Sequence, residues 1–286
     1  MRRSVVTNSR RPFEKPMPTI KAVDGRTWGY ARYGEAGGKP VLVHHGLIGD
    51  RNIGVIWDDL GKANGLEWIV IERPGYGQTP ALAMDRIADW PTMMEPLLTV
   101  LGVTGSFAAV GISAGAPYAY ALAAGMPARA GRIGILSGVP FIGADRVLAA
   151  YPADGQAAYA RYAIAEGKAL RAEFRAFCAD MVATLAEHPH VESAVTAILA
   201  HDVAGPAREA RLQAIDWGFD RSAVQCPVDL WHSDGDDMVP CAAARMSASG
   251  LPKAAWHIQA EPSHFPSEAT LQEMASTLGD AELITD

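Results

Sequence analysis

Cysteine is scarce. Cys178, Cys226 and Cys241 are the three present in 286 residues, and none of them forms a CxxC. That excludes a disulfide-built scaffold and reads as a reduced, intracellular, cytoplasmic chain, with one disulfide between two of the three left open. No stretch approaches the roughly 20 apolar residues of a membrane span, so none is expected. Basic charge is short as well: 25 Lys and Arg stand against 32 Asp and Glu, a formal charge of −7. Nucleic-acid binding that tracks phosphates calls for a clustered basic surface, so it is not expected here. Internal repeats and low-complexity tracts are lacking too, the alanine-rich stretch 148–215 being ordinary helix composition. What is present is 49% hydrophobic and 20% charged residues, the balance of a globular protein. At roughly 150 residues per domain, the length means one large domain or a domain with a big insertion.

The N-terminal segment 1–16 is the one compositional oddity, with Arg2, Arg3, Arg10, Arg11 and Lys15 against Glu14. No apolar run follows those arginines, so a secretory signal does not fit. A mobile, solvated basic tail is the expectation, with a transit-like segment as the alternative.

Residues 18–33 read as a hairpin: Thr19–Val23 and Arg26–Tyr33 alternate, joined by Asp24-Gly25, a pair suited to a tight primed turn. Then come short apolar runs at Val41–His45, Trp68–Glu72, Phe107–Gly111, Arg132–Ser137, Val228–His232 and Ala254–Gln259. Such runs suit strands buried on both faces, and helical spacing over 83–101 and 114–125 separates some of them. The alternation predicts right-handed βαβ units and a doubly wound, mostly parallel α/β sheet with flanking helices. The rhythm breaks once, over about 90 residues between Ser137 and Val228, where a crossover needs only a dozen or so. Helices are expected there at 144–150, at 155–187 with a break near Gly167, at 190–201 and at 206–216. This predicts a core of 17–139 and 223–286, and a helical insertion, 140–222, lying as a cap over the carboxyl ends of the strands, where open α/β sheets bind ligands.

The chemistry centres on Gly111-Ile112-Ser113-Ala114-Gly115, a G-x-S-x-G that follows an apolar run and opens a helix. In that setting the serine sits on a sharp strand-to-helix turn, and small residues on either side keep strand and helix from colliding. A nucleophilic serine needs a base, and the base needs a carboxylate to fix its tautomer. His264, in a turn-like segment after the last strand run, is the candidate base. His232 and His257 fall inside strand runs, His188, His190 and His201 fall in the insertion, and His44 and His45 precede a different loop. The acid comes from a loop holding Asp234, Asp236 and Asp237. Asp236 is favoured because it stands three residues before Val239-Pro240, with Asp237 and then Asp234 as alternatives. Charge developing on a carbonyl oxygen calls for preplaced amide donors, expected at Ala114 and, through the turn at Gly46, at Leu47. A metal site on His44-His45 is not expected, since adjacent strand residues point to opposite faces.

These segments resemble the α/β-hydrolase fold superfamily, specifically its cap-bearing esterase-like members. The matching pieces are His45-Gly46-Leu47, Glu72 to Gln78, Gly111 to Gly115, Gly235-Asp236 with Val239-Pro240, and Ser263-His264-Phe265. They run from 41 to 266 in the family's order. The chain departs from many relatives at Ile48, where they carry proline, and at Ser233, where they carry glycine. The resemblance implies Ser113 as nucleophile, His264 as base, Asp236 as acid, and Leu47 and Ala114 as oxyanion donors. It implies a carboxylesterase-like serine hydrolase for a small-molecule ester, lactone or thioester, with no metal or organic cofactor. Aminopeptidase, carbon–carbon hydrolase, perhydrolase and slow-turnover receptor are the alternatives on the same fold. The glycine-rich His-Gly-Gly-Pro-Gly segment of iminopeptidase-like relatives is absent. Phe141, Tyr151, Tyr159, Tyr162, Phe174 and Trp217 either line a substrate pocket or form the insertion's own core.

Overall fold

A computed structural model describes residues 18–280 except 144 and 186–188. The basic tail 1–16 lies outside the described residues, as do the first residue of the helix expected at 144–150 and the last two of that expected at 155–187.

Eight strands form one sheet: β1 (Thr19–Lys21), β2 (Thr27–Gly34), β3 (Lys39–His44), β4 (Leu66–Ile71), β5 (Phe107–Ile112), β6 (Ala130–Leu136), β7 (Val228–Ser233) and β8 (Ala254–Gln259). Their order is β1-β2-β4-β3-β5-β6-β7-β8. β2 pairs antiparallel with β1 and β4, and every later pairing is parallel. The first two strands are the expected hairpin, but the turn is longer than a two-residue one. Ala22 and Gly25 bond across it, and of the Asp24-Gly25 pair only Gly25 takes a positive φ, 80°. Placing the left-handed conformation on glycine alone avoids straining Asp24.

Alternation along the strands builds two apolar layers. Leu42, Ile69, Ala109, Ile133 and Leu230 face one way, against α2 (Trp90–Val100) and α3 (Ala116–Gly125). Val41, Val43, Trp68, Val70, Val110 and Trp231 face the other, against α10 (Glu268–Asp280) and the 3₁₀ segment Arg51–Trp57. That segment leads into α1 (Asp58–Asn64). Helix α2 starts later than position 83. The Asp89 carboxylate accepts the Asp85 and Arg86 amides, and Arg86 is extended, so the chain turns into the helix only there.

Between β6 and β7 lie α4 (Asp145–Leu148), α5 (Ala153–Ile164), α6 (Gly167–Leu185), α7 (Pro189–Leu199) and α8 (Ala204–Ala214). Among the described residues no strand interrupts them, and the break between α5 and α6 falls at the expected glycine. Leu170, Phe174, Ile198, Ala207 and Ala210 from these helices, with Val203 just before α8, gather round Tyr76, and Leu47 and Ile48 lie at the edge of the cluster. Val147 and Tyr151 join Val139, Val239 and Ala243, the last from α9 (Cys241–Ala248). The insertion therefore touches the loops after β3, β4, β6 and β7, all at the carboxyl edge of the parallel strands.

Candidate active site

Ser113 leaves the end of β5 with φ at 50°, a left-handed conformation that a non-glycine residue holds only where its surroundings impose it. The imposition is visible on both sides. A Cβ on Gly111 would come 2.5 Å from the Ala116 Cα, and one on Gly115 would come 2.1 Å from the His44 carbonyl oxygen. Any larger residue there would push β5, α3 and the end of β3 apart. The Ser113 carbonyl accepts the Val139 amide at 3.0 Å, tying the turn to the loop after β6.

Asp236 sits in the loop after β7. Its Oδ1 accepts the Met238 and Val239 amides at 2.9 and 2.8 Å, so the loop wraps around its own carboxylate. His264 follows β8, and its Nδ1–H reaches Asp236 Oδ1 at 3.0 Å and Oδ2 at 2.9 Å. Both residues are buried, whereas Asp234 and Asp237 are exposed. Asp234 instead accepts the Cys241 thiol at 3.2 Å. Of the three aspartates, Asp236 is the one brought to the histidine. Burial alone raises its carboxyl, but hydrogen bonds from His232 and His264, the His264 charge and the Val239 amide outweigh that and hold it well below the ordinary carboxylate range.

His232, expected as a strand residue, reaches the same carboxylate. Its Nε2–H donates to the Val239 carbonyl at 2.9 Å and stands 3.3 Å from Asp236 Oδ2. The signal for it was the four-residue spacing to Asp236, which spans the end of β7 and the turn. His257, His201, His44 and His45 have other partners. His257 bridges Asp229 and Glu273, His201 meets the Gly77 carbonyl, and His188 lies outside the described residues. His44 and His45 turn to separate partners: His44 takes the Trp90 indole N–H at 3.0 Å and meets the Val110 carbonyl at 3.2 Å, while His45 meets the Gly46 carbonyl at 2.8 Å. Among the described residues no group of three His, Cys, Asp or Glu is placed to hold a metal ion.

The loop after β3 runs beside the serine, with Gly46 so close that a Cβ there would stand 3.8 Å from that of Ser113. That approach sets the loop carrying Leu47 beside the turn carrying Ser113 and Ala114. From α8, Gln213 Nε2–H reaches the Ala114 carbonyl at 3.4 Å, a contact with no sequence signal. The six aromatic residues singled out from the sequence lie largely against one another. Phe141 and Trp217 are 4.0 Å apart between ring centres, Tyr151 and Tyr159 5.3 Å, and Tyr162 and Phe174 5.8 Å.

The fold sets a serine on a strained turn, a buried carboxylate–histidine pair and a glycine-opened loop each after the carboxyl end of a parallel strand. The model of the alpha/beta hydrolase family matches residues 41–277, and the chain belongs to that family. Similar solved structures include an esterase from Exiguobacterium antarcticum, with 18% identity and a TM-score of 0.68 over 91% of this chain and 97% of that one. The esterase RhEst1 from Rhodococcus sp. ECU1013 has 20% identity and a TM-score of 0.64 over 93% and 99% of the two chains. An enol-lactonase from Burkholderia xenovorans LB400 has 17% identity and a TM-score of 0.64 over 92% and 98%. No curated protein matches the chain in sequence. No helix among the described residues is long and apolar enough to cross a membrane.

Proposed function

We propose that the protein is a serine hydrolase that cleaves a small to medium carboxylic ester, lactone or thioester through an acyl-enzyme. In this reading His264 takes the Ser113 proton as the hydroxyl attacks the carbonyl carbon. The amides of Leu47 and Ala114 receive the charge on the carbonyl oxygen. His264 then returns the proton to the leaving alcohol, and water repeats the cycle on the acyl group. Asp236 stays ionised throughout, keeps the Nδ1–H tautomer and stabilises the imidazolium when it forms. Residues 140–222 act as the cap, and the core comprises 17–139 and 223–286.

The observation that carries this reading is the two-oxygen grip of Asp236 on His264 Nδ1, which leaves Nε2 as the nitrogen able to accept a proton. A base held in one tautomer is what acyl transfer from an alcohol requires, and the strained Ser113 supplies that alcohol. A panel of 4-nitrophenyl esters, small lactones and aminoacyl-naphthylamides tests the class. Hydrolysis of esters or lactones that disappears in Ser113→Ala is the expected result. Cleavage of the amides alone would replace this reading with the aminopeptidase one. Absence of any turnover despite labelling of Ser113 would favour a ligand receptor. Lactones belong in the panel because the Burkholderia neighbour is called an enol-lactonase.

A further inference from the structure

Arg73, in the loop after β4, is fully buried, and so is its partner Glu209 on α8. Its Nε–H and one Nη2–H meet the two Glu209 oxygens at 2.6 and 2.8 Å, a bidentate fork. Two further donors turn to the loop after β3: Nη1–H to the His45 carbonyl at 2.5 Å and Nη2–H to the Gly46 carbonyl at 3.0 Å. The Gly46 carbonyl also receives the His45 Nδ1–H at 2.8 Å. His45 stays neutral in this setting, because burial and then the Arg73 charge push its ring well below the ordinary histidine value.

The Gly46 carbonyl and the Leu47 N–H belong to one planar peptide group. Two donors on its oxygen fix how that plane is turned, and so fix where the Leu47 N–H points. They also polarise the amide, which strengthens its N–H as a donor. The next peptide is held as well, since the Tyr76 hydroxyl donates to the Leu47 carbonyl at 3.0 Å. Glycine at 46 makes such a clamp necessary, because it has no side chain to limit rotation of the peptide.

We propose that Arg73 and His45 are positioning residues that lock the Gly46–Leu47 peptide in the orientation that receives the oxyanion, with Glu209 of the insertion holding Arg73 in place. This inference rests on the serine-hydrolase reading, and it makes turnover depend on the docking of α8 onto the core. Glu209 faces a second cation, Arg208, whose Nη2 stands 3.5 Å from its Oε1. The carboxylate therefore stands between two guanidiniums. Arginine rather than lysine is required at 73, since a single ammonium cannot span a carboxylate and two carbonyls at once.

The test uses the full-length chain and compares wild type with Arg73→Lys, Glu209→Gln and Tyr76→Phe. Each is measured for kcat and KM on a 4-nitrophenyl ester, for Ki of a boronic acid that mimics the tetrahedral adduct, and for thermal midpoint. Tyr76→Phe removes one oxygen and keeps the ring, so it reports on the loop even if Arg73→Lys fails to fold. The expected result is a fall in kcat of about 100-fold for Arg73→Lys and about tenfold for Glu209→Gln and Tyr76→Phe. KM is unchanged, and the boronate Ki rises in the same proportion as kcat falls. Folded variants that keep wild-type kcat and boronate affinity overturn the clamp while leaving the hydrolase reading intact. A wild-type enzyme that neither hydrolyses esters nor labels at Ser113 overturns both.

Discussion

His232 Nε2 lies 3.3 Å from Asp236 Oδ2, on a carboxylate whose two oxygens already accept the His264 N–H. Asp236 thus stands between two histidines, His264 after β8 and His232 at the end of β7, so the proposed acid has a support beside the proposed base. His232→Phe removes that support but keeps a ring in the same space. It is expected to lower kcat about tenfold, or ~1.4 kcal/mol of lost orientation, with little change in KM. Steady-state kinetics on an ester substrate checks this.

Asp236→Asn replaces an acceptor pair with a group that can present N–H to the imidazole and select the wrong tautomer. A loss of kcat of about 10⁴-fold is expected. Asp237→Asn, at an exposed position of the same loop, is expected to stay within about twofold of wild type, the range of a surface change. Parallel measurement of the two variants decides the acid.

Ser113 holds φ at 50°, where a Cβ is strained and glycine is not. Ser113→Gly and Ser113→Ala should both be inactive, but the glycine variant should be the more stable by about 1 kcal/mol. Denaturant unfolding of the two inactive proteins provides the comparison. Equal stabilities would mean that the turn carries no strain.

Glu72 is buried beside Arg51, whose Nε stands 3.4 Å from its Oε1, and its Oε2 accepts the Gln78 amide at 2.7 Å. Burial pushes its carboxyl up to about 7 against the pull of Arg51 and that amide. A raised value means the folded state holds a proton that the unfolded chain has released. The stability from Glu72 is therefore complete below 4.5, the ordinary glutamate value, and fades as pH rises through about 7. Unfolding free energies across that window should fall with pH in wild type and fall less in Glu72→Gln.

The strands and the order of the site were legible because buried parallel strands write themselves as apolar runs, and because Gly111 and Gly115 mark a turn where no Cβ fits. Ser113, Asp236 and His264 could each be placed by the strand end that precedes it. The choice among Asp234, Asp236 and Asp237 had weaker support, since the amides that select Asp236 are made only when the loop closes on itself. The pairing of Arg73 with Glu209 was invisible for a different reason. The two are 136 positions apart, and nothing local announces which face of α8 will turn toward the loop after β4. The turn at Asp24-Gly25 is wider than the residue pair implies, because the pair does not reveal how many residues the flanking strands leave unpaired.

In the proposed hydrolase the Ser113 hydroxyl is the reacting group. The direct measurement is titration of the protein with a fluorophosphonate, with residual esterase activity followed alongside the mass of each peptide. One equivalent of label on the peptide containing Ser113, with activity falling in step, is the predicted result. Full loss of activity with the label on another residue, or full labelling of Ser113 with activity retained, would contradict it.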